Sequence, residues 1–292
     1  MKIGTVAILG PGLIGGSLAL ALAERGLTKQ LMIYARSPRA LDEIRISGVD
    51  AELSGNPSEA VRDADVVILC VPIEAMAGLV HEFRDALKPT ALVTDVGSVK
   101  ASVDRDLAPL LDGRALWIGS HPMAGSEQGG FSAARADLFD GATVILTPTK
   151  QTAHGAQRRA EKLWTALGAN LAILSPEDHD QAVAAVSHIP HLLAAALVNH
   201  AVTHGDLELA AGGFRDTTRV ASGSPELWAE ILLANRSAVG FQVRQLISQL
   251  AEVEGALENP DRKSSKSVLL AMLKSAHDAR SQLSAKRSKR TP

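Results

Sequence analysis

The chain has 292 residues, 46% of them hydrophobic, with a formal net charge of -2 and a sequence pI near 6.5. That length suffices for one large domain or two ordinary ones, and without a basic excess no nucleic-acid partner is expected. No run of about 18 apolar residues free of polar ones occurs, and the N-terminus lacks a signal-peptide pattern, so a cytoplasmic protein with no membrane partner is expected. The single cysteine, Cys70, excludes an internal disulfide, and with no Cys/His cluster at structural-zinc spacing no metal is expected.

In chain order, Thr5 to Leu9 is a short apolar run, and Gly10-Pro-Gly-Leu-Ile-Gly15-Gly-Ser follows at once into an Ala- and Leu-rich helix closed by Gly26. G-x-G-x-x-G between a first strand and a helix is the setting of a dinucleotide site; the bland alternative is a tight turn with no ligand. Gly10 permits the turn, Gly12 lets backbone approach the pyrophosphate, and Gly15 allows close packing. Leu13 and Ile14 open the helix whose N-terminus faces the phosphates. The second strand, residues 31–34, ends in Ala35-Arg36-Ser37-Pro38-Arg39 with no acid to receive a ribose 2′-hydroxyl. Arg36 and Ser37, with Arg39 nearby, suit a 2′-phosphate instead, so NADP is expected over NAD. The plainer account makes Ser37-Pro38 a helix cap and leaves Arg39 solvated.

Strand-like runs at 66–71 and 91–94 alternate with helical segments, which means a parallel, doubly wound sheet, with Cys70 as a buried strand residue. Asp95-Val-Gly-Ser98-Val-Lys100 follows; Ser98 is by default a helix cap, and otherwise points its hydroxyl at a substrate. The run 115–118 reads as another buried strand. It puts His121, in Ile118-Gly-Ser-His-Pro-Met-Ala-Gly, at a strand's carboxyl end, where open α/β sheets hold ligands, and Pro122 restricts its backbone. A strand at 142–146, a helix over 153–167 and a run at 171–174 complete a dinucleotide-binding domain of residues 1–175.

Beyond Ser175-Pro176 glycine thins out and residues 176–292 read as an all-helical domain for substrate binding and dimerisation. Its first helix carries Ser187-His188-Ile-Pro190-His191, with Pro190 expected to kink it; the two histidines lack a third partner as metal ligands. Arg215 and Arg219 flank Asp216 four residues apart, either a salt-bridged helix face or an anion clamp. Lys286 to Arg290 is expected to be a solvated tail.

These motifs together resemble the prephenate and arogenate dehydrogenases of tyrosine biosynthesis, over residues from about Val6 to about Asn235. The resemblance rests on Gly10–Gly16, Asp95–Lys100, His121–Gly125, Asp178-His-Asp-Gln with Ser187–His191, Gly213–Arg219, and Ser224-Pro-Glu-Leu-Trp228 with Asn235. It implies a Rossmann-type α/β domain followed by a helical domain that forms a homodimer. It implies hydride transfer from C4 of a cyclohexadienol to the nicotinamide, with loss of carbon dioxide and aromatisation. His121 would take the hydroxyl proton, Ser98 would bond the same oxygen or orient that imidazole, and Arg219 would hold a substrate carboxylate. Ser187, His188 and His191 would line the pocket. An acidic neighbour such as Glu127 would favour arogenate over prephenate. The alternatives are a dehydrogenase of the 3-hydroxyacid type, which the histidine motif argues against, and a nucleotide-binding sensor without turnover. An imidazole base predicts an acid limb near pH 6.5.

Overall fold

The computed structural model describes residues 2–126, 128–205 and 207–288, with side chains described as far as Leu283. Glu127 and the basic tail's side chains lie outside them. The chain divides into two compact units, residues 1–239 and 240–292.

The first unit is built on strands buried on both faces, as a parallel sheet requires. Strands β1 (Thr5–Leu9), β2 (Gln30–Tyr34), β3 (Glu52–Ser54), β4 (Val66–Leu69), β5 (Leu92–Asp95) and β6 (Leu116–Trp117) form one parallel sheet in the order β3-β2-β1-β4-β5-β6. This is the Rossmann order, with the direction of winding changing between β1 and β4. Alternate residues of β1 enter different cores. Val6 and Ile8 pack with Leu18, Ile33, Phe139 and Trp164, whereas Ala7 and Leu9 pack with Val67, Leu69, Val80 and Phe83. The helices around the sheet are α1 (Leu13–Glu24), α2 (Pro38–Ser47), α3 (Pro57–Val61), α4 (Ile73–Phe83), α5 (Ala101–Leu111) and α6 (His154–Ala166).

Three local expectations change. Cys70 lies just past β4 and is half-buried, not a strand residue. Ser98 does not cap α5, which opens at Ala101; the carboxylate of Asp180 takes the Lys100 and Ala101 N–H groups instead, at 2.7 and 2.9 Å. His121 does not follow the parallel sheet's last strand as a loop residue. It lies inside β7 (Gly119–Pro122), which starts a second sheet by pairing antiparallel with β8 (Thr143–Thr147); β9 (Asn170–Ile173) pairs parallel with β8. Gly119 makes that pairing possible, because a Cβ there would stand 2.6 Å from Thr147 Oγ1.

Ser175 caps α7 (Pro176–Val183) through its hydroxyl, which accepts the Asp178 N–H at 3.0 Å. The helix then widens into a π-helical turn at Ala184–His188 before α8 (Ile189–His204). Pro190 supplies no N–H and crowds the carbonyl four residues back, and the widened turn relieves both, where a simple kink was expected. The stretch Pro176–His204 is long and apolar enough by length and composition to cross a membrane. It also carries the buried His179, Asp180, His188 and His191, as the core helix of a globular fold does. Two shorter helices, α9 (Gly212–Thr218) and α10 (Pro225–Ala234), pack in the same unit, joined by a 3-10 turn at Arg219–Ser222.

The second unit is helical: the larger part of α11 (Arg236–Glu258), followed by α12 (Arg262–Ser288). Ile247, Leu250, Leu257, Leu270 and Leu273 are exposed on these helices.

Candidate active site

The dinucleotide turn has the geometry its sequence requires. Gly10 has φ +106°, and a Cβ there would meet the Cys70 carbonyl oxygen at 2.7 Å; at Gly15 one would meet the Gly10 carbonyl oxygen at 2.1 Å. At Gly12 no protein atom comes within 4 Å of that position. This open face lies at the N-terminus of α1, where Leu13 and Ile14 begin the helix with no acidic residue in the first turn and no side-chain cap. Unclaimed N–H groups and the positive helix end suit a pyrophosphate, so the residues present fit a dinucleotide. Arg36 and Ser37 are exposed beyond β2. Ser37 stands at the cap position of α2 without using its hydroxyl there, while Arg39 pairs with Glu43 at 3.2 Å along the helix.

Past the carboxyl ends of β5 and β6 lies a buried polar network. Asp95, fully buried, pairs with the Lys100 ammonium and accepts the Ser120 N–H at 3.1 Å and the Gly97 N–H at 2.8 Å. Lys100 Nζ also donates to the Ser120 carbonyl at 2.9 Å, and the Ser120 hydroxyl, 2.5 Å from the Asp95 carbonyl, accepts from Thr94 at 3.0 Å. Burial pulls the Lys100 ammonium below the ordinary lysine range against the attraction of Asp95. These bonds anchor β7 at Ser120, the residue before His121, and so fix where its ring starts.

His121 is 8% exposed. Its Nδ1 lies 2.8 Å from His179 Nε2, with the rings edge to face at 66°, and His179 Nδ1 lies 2.8 Å from Asp180 Oδ1. Asn235 Nδ2 donates to the Asp180 carbonyl at 2.9 Å and approaches His188 Nδ1 at 3.2 Å. His191 stacks on Trp228 at 3.6 Å, and His188 meets the same indole edge-on. Burial holds the His121 ring well below its ordinary 6.5, helped by the nearby His179, Lys100 and His188. That moves the expected acid limb below pH 6.5. Burial also takes His188 to about 4, opposed by Asp180, and lowers His191. His188 Nε2 and His191 Nδ1 are buried with no hydrogen-bond partner among the described residues, as polar atoms that await a ligand would be.

The structure therefore gathers His121, His188 and His191 into one cluster. Ser187 is half-buried beside them in the π turn. Arg219 opens the exposed 3-10 turn that packs on α8, and Gly223 at the end of that turn lies against His191 and Trp228. No hydrogen bond joins Ser98 to His121 among the described residues; His179 occupies the imidazole's Nδ1 instead. No group of three or more His, Cys, Asp or Glu among the described residues is arranged for a metal ion. Sequence reasoning quoted the stretch Asp178-His-Asp-Gln but gave His179 and Asp180 no role, and it missed Trp228 and Asn235 as parts of the same cluster. The available signal was an adjacent His-Asp pair near the start of a helix.

Family models match both halves of this arrangement: the prephenate dehydrogenase nucleotide-binding domain over residues 18–173 and the prephenate dehydrogenase dimerization domain over residues 175–275. The chain belongs to the prephenate dehydrogenase family. This is a family of oxidoreductases, and membership sets aside the 3-hydroxyacid alternative. Cyclohexadienyl dehydrogenase of Zymomonas mobilis is 34% identical over 288 residues, covering 94% of this chain and 98% of that one. Prephenate dehydrogenase of Aquifex aeolicus, solved with hydroxyphenyl propionate and NAD+, superposes with a TM-score of 0.89 at 29% identity, covering 97% of this chain and 98% of that one. Synechocystis arogenate dehydrogenase superposes with a TM-score of 0.80 at 30% identity, covering 94% and 99%.

Proposed function

We propose that this chain oxidises and decarboxylates a cyclohexadienyl substrate, prephenate or arogenate, to 4-hydroxyphenylpyruvate or tyrosine, with NADP as hydride acceptor. We further propose that it works as a homodimer in the cytoplasm. The observation that carries the reading is His121: a buried imidazole, kept neutral by its surroundings, on an anchored strand of the same compact unit as the dinucleotide turn. Family membership supplies the substrate class, since the named relatives act on prephenate, arogenate or cyclohexadienyl compounds.

NADP, when bound, supplies the sink for the C4 hydride. Gly10, Gly12, Leu13, Ile14 and Gly15 would hold its pyrophosphate, and Arg36 and Ser37 its 2′-phosphate. His121 removes the C4 hydroxyl proton, which needs a neutral ring, and burial keeps the ring neutral at pH 7. Ser98 donates to the same oxygen. Arg219 holds a carboxylate with its guanidinium, and Ser187, His188 and His191 line the ring's pocket. Loss of carbon dioxide aromatises the ring, which makes the step irreversible. The exposed apolar side chains of α11 and α12 support the dimer, because a second copy would cover them.

The test is kcat/KM for prephenate and for arogenate, each with NADP and with NAD. Turnover of at least one substrate, more efficient with NADP, is expected. Equal or better efficiency with NAD would overturn the cofactor assignment, and no turnover of either substrate would overturn the reaction.

A further inference from the structure

An imidazole takes up a proton only through a nitrogen that carries none, so the tautomer of His121 decides whether it can act as a base. The neighbours of its ring settle which nitrogen that is. Asp180 seats its two oxygens on the Lys100 and Ala101 N–H groups, 2.7 and 2.9 Å away at the opening of α5. With both oxygens already accepting backbone N–H groups, Asp180 meets His179 as an acceptor. The hydrogen in its 2.8 Å contact with His179 therefore sits on His179 Nδ1. Neutral His179 then presents a lone pair at Nε2, 2.8 Å from His121 Nδ1, and accepts the hydrogen carried there. His121 is left with its own lone pair on Nε2.

We propose that His179 is the positioning residue of this site: it holds His121 as the Nδ1–H tautomer, and it shares the proton that His121 Nε2 takes up. The inference rests on the proposed reaction for the source of that proton, but not for the tautomer. The step balances. The substrate O–H bond breaks with its electron pair left on oxygen, and an N–H bond forms at His121 Nε2. The Nδ1 proton of His121 passes to His179 Nε2. His179 then carries hydrogen on both nitrogens beside the Asp180 carboxylate, which offsets the charge.

The charged and titratable groups facing His121 are His179 and Asp180 from α7, Lys100 ahead of α5, Asp95 of β5 through Lys100, and His188 from the π turn. Protonated His179 would reverse the pattern. It would donate to His121 Nδ1 and put the hydrogen on Nε2, which switches the base off.

Histidine-selective 15N labelling and NMR of the protein without substrate or cofactor reads the tautomer, with His121 assigned by its loss in His121→Asn. The wild type should show hydrogen on Nδ1 and a bare Nε2. His179→Leu should move the hydrogen to Nε2. His179→Gln should restore Nδ1–H, because its oxygen accepts from His121 while its amide donates to Asp180. In turnover, His179→Leu should lower kcat roughly 10- to 10³-fold with KM little changed, the scale of a mis-set tautomer in a histidine base, and His179→Gln should recover most of the loss. A wild-type His121 with hydrogen on Nε2 overturns the proposal whatever the variants do. So do Leu and Gln variants that lose kcat equally with the tautomer unmoved. A wild type with the expected tautomer but no turnover would overturn the proposed function and leave the positioning role of His179 intact.

Discussion

Alanine at two glycines of the same turn should fail in opposite ways. At Gly15 the new methyl would lie 2.1 Å from the Gly10 carbonyl oxygen and 3.1 Å from Cys70 Cβ, so backbone rather than a flexible side chain must move. Overpacking of this kind costs about 1–3 kcal/mol. At about 2–4 °C per kcal/mol for a chain of this size, Gly15→Ala should lower Tm by about 2–12 °C. At Gly12 the backbone is at φ -74° and ψ -159°, which alanine adopts, and no protein atom lies within 4 Å. Gly12→Ala should leave Tm unchanged or raise it slightly, since it stiffens the unfolded chain by about 0.4–1 kcal/mol. Its methyl stands where the pyrophosphate must come close, and cofactor affinity should fall roughly 10- to 100-fold, or about 1.4–2.8 kcal/mol. Thermal unfolding of both variants and titration with NADP and NAD measure the two effects separately. A Gly12→Ala protein with wild-type affinity for both nucleotides, or a Gly15→Ala protein with wild-type Tm, would refute the reasoning.

Arg219→Ala should raise KM by roughly 10- to 150-fold, the worth of a charged hydrogen bond to a carboxylate at about 1.5–3 kcal/mol, with Tm unchanged; an unchanged KM with a lower Tm would make Arg219 structural. Stability should fall as pH drops from about 6.5 to about 4. In that window the unfolded chain protonates His188 while the folded chain holds it neutral down to about 4, so the unfolded state binds more protons. Urea unfolding at either end of the window reads this, and His188→Asn should flatten the dependence. Light scattering at micromolar concentration should give the mass of a dimer, and a monomer would contradict that assignment.

The Rossmann half was legible because its signals are local. A glycine turn between strand and helix specifies itself in a few residues, and alternating apolar runs specify the sheet. The short β3, with one exposed and two half-buried residues, carries no such pattern. His121 was legible as a candidate, but its place in a second sheet was not, because the pairing of Gly119–Pro122 with Thr143–Thr147 depends on contacts distant in sequence. The same limit hid Asp180. An acid on α7 that caps α5 leaves no periodicity to read, and Ser98 offered a local cap that the fold does not use. Pro190 marked a disturbance in the helix, but whether a kink or a widened turn absorbs it is not written in the local sequence; the π turn at Ala184–His188 sets His188 and His191 on the same indole of Trp228.

The central claim is that His121 is the base, and the pH dependence of kcat in wild type and His121→Asn tests it most directly. The wild-type acid limb should lie below pH 6.5, in the direction that burial moves the ring. His121→Asn should lower kcat by about 10² to 10⁴ with KM and cofactor affinity little changed, and should abolish that limb. Near-normal turnover in His121→Asn, or an acid limb that survives the substitution and disappears in His188 or His191 variants instead, would contradict the account.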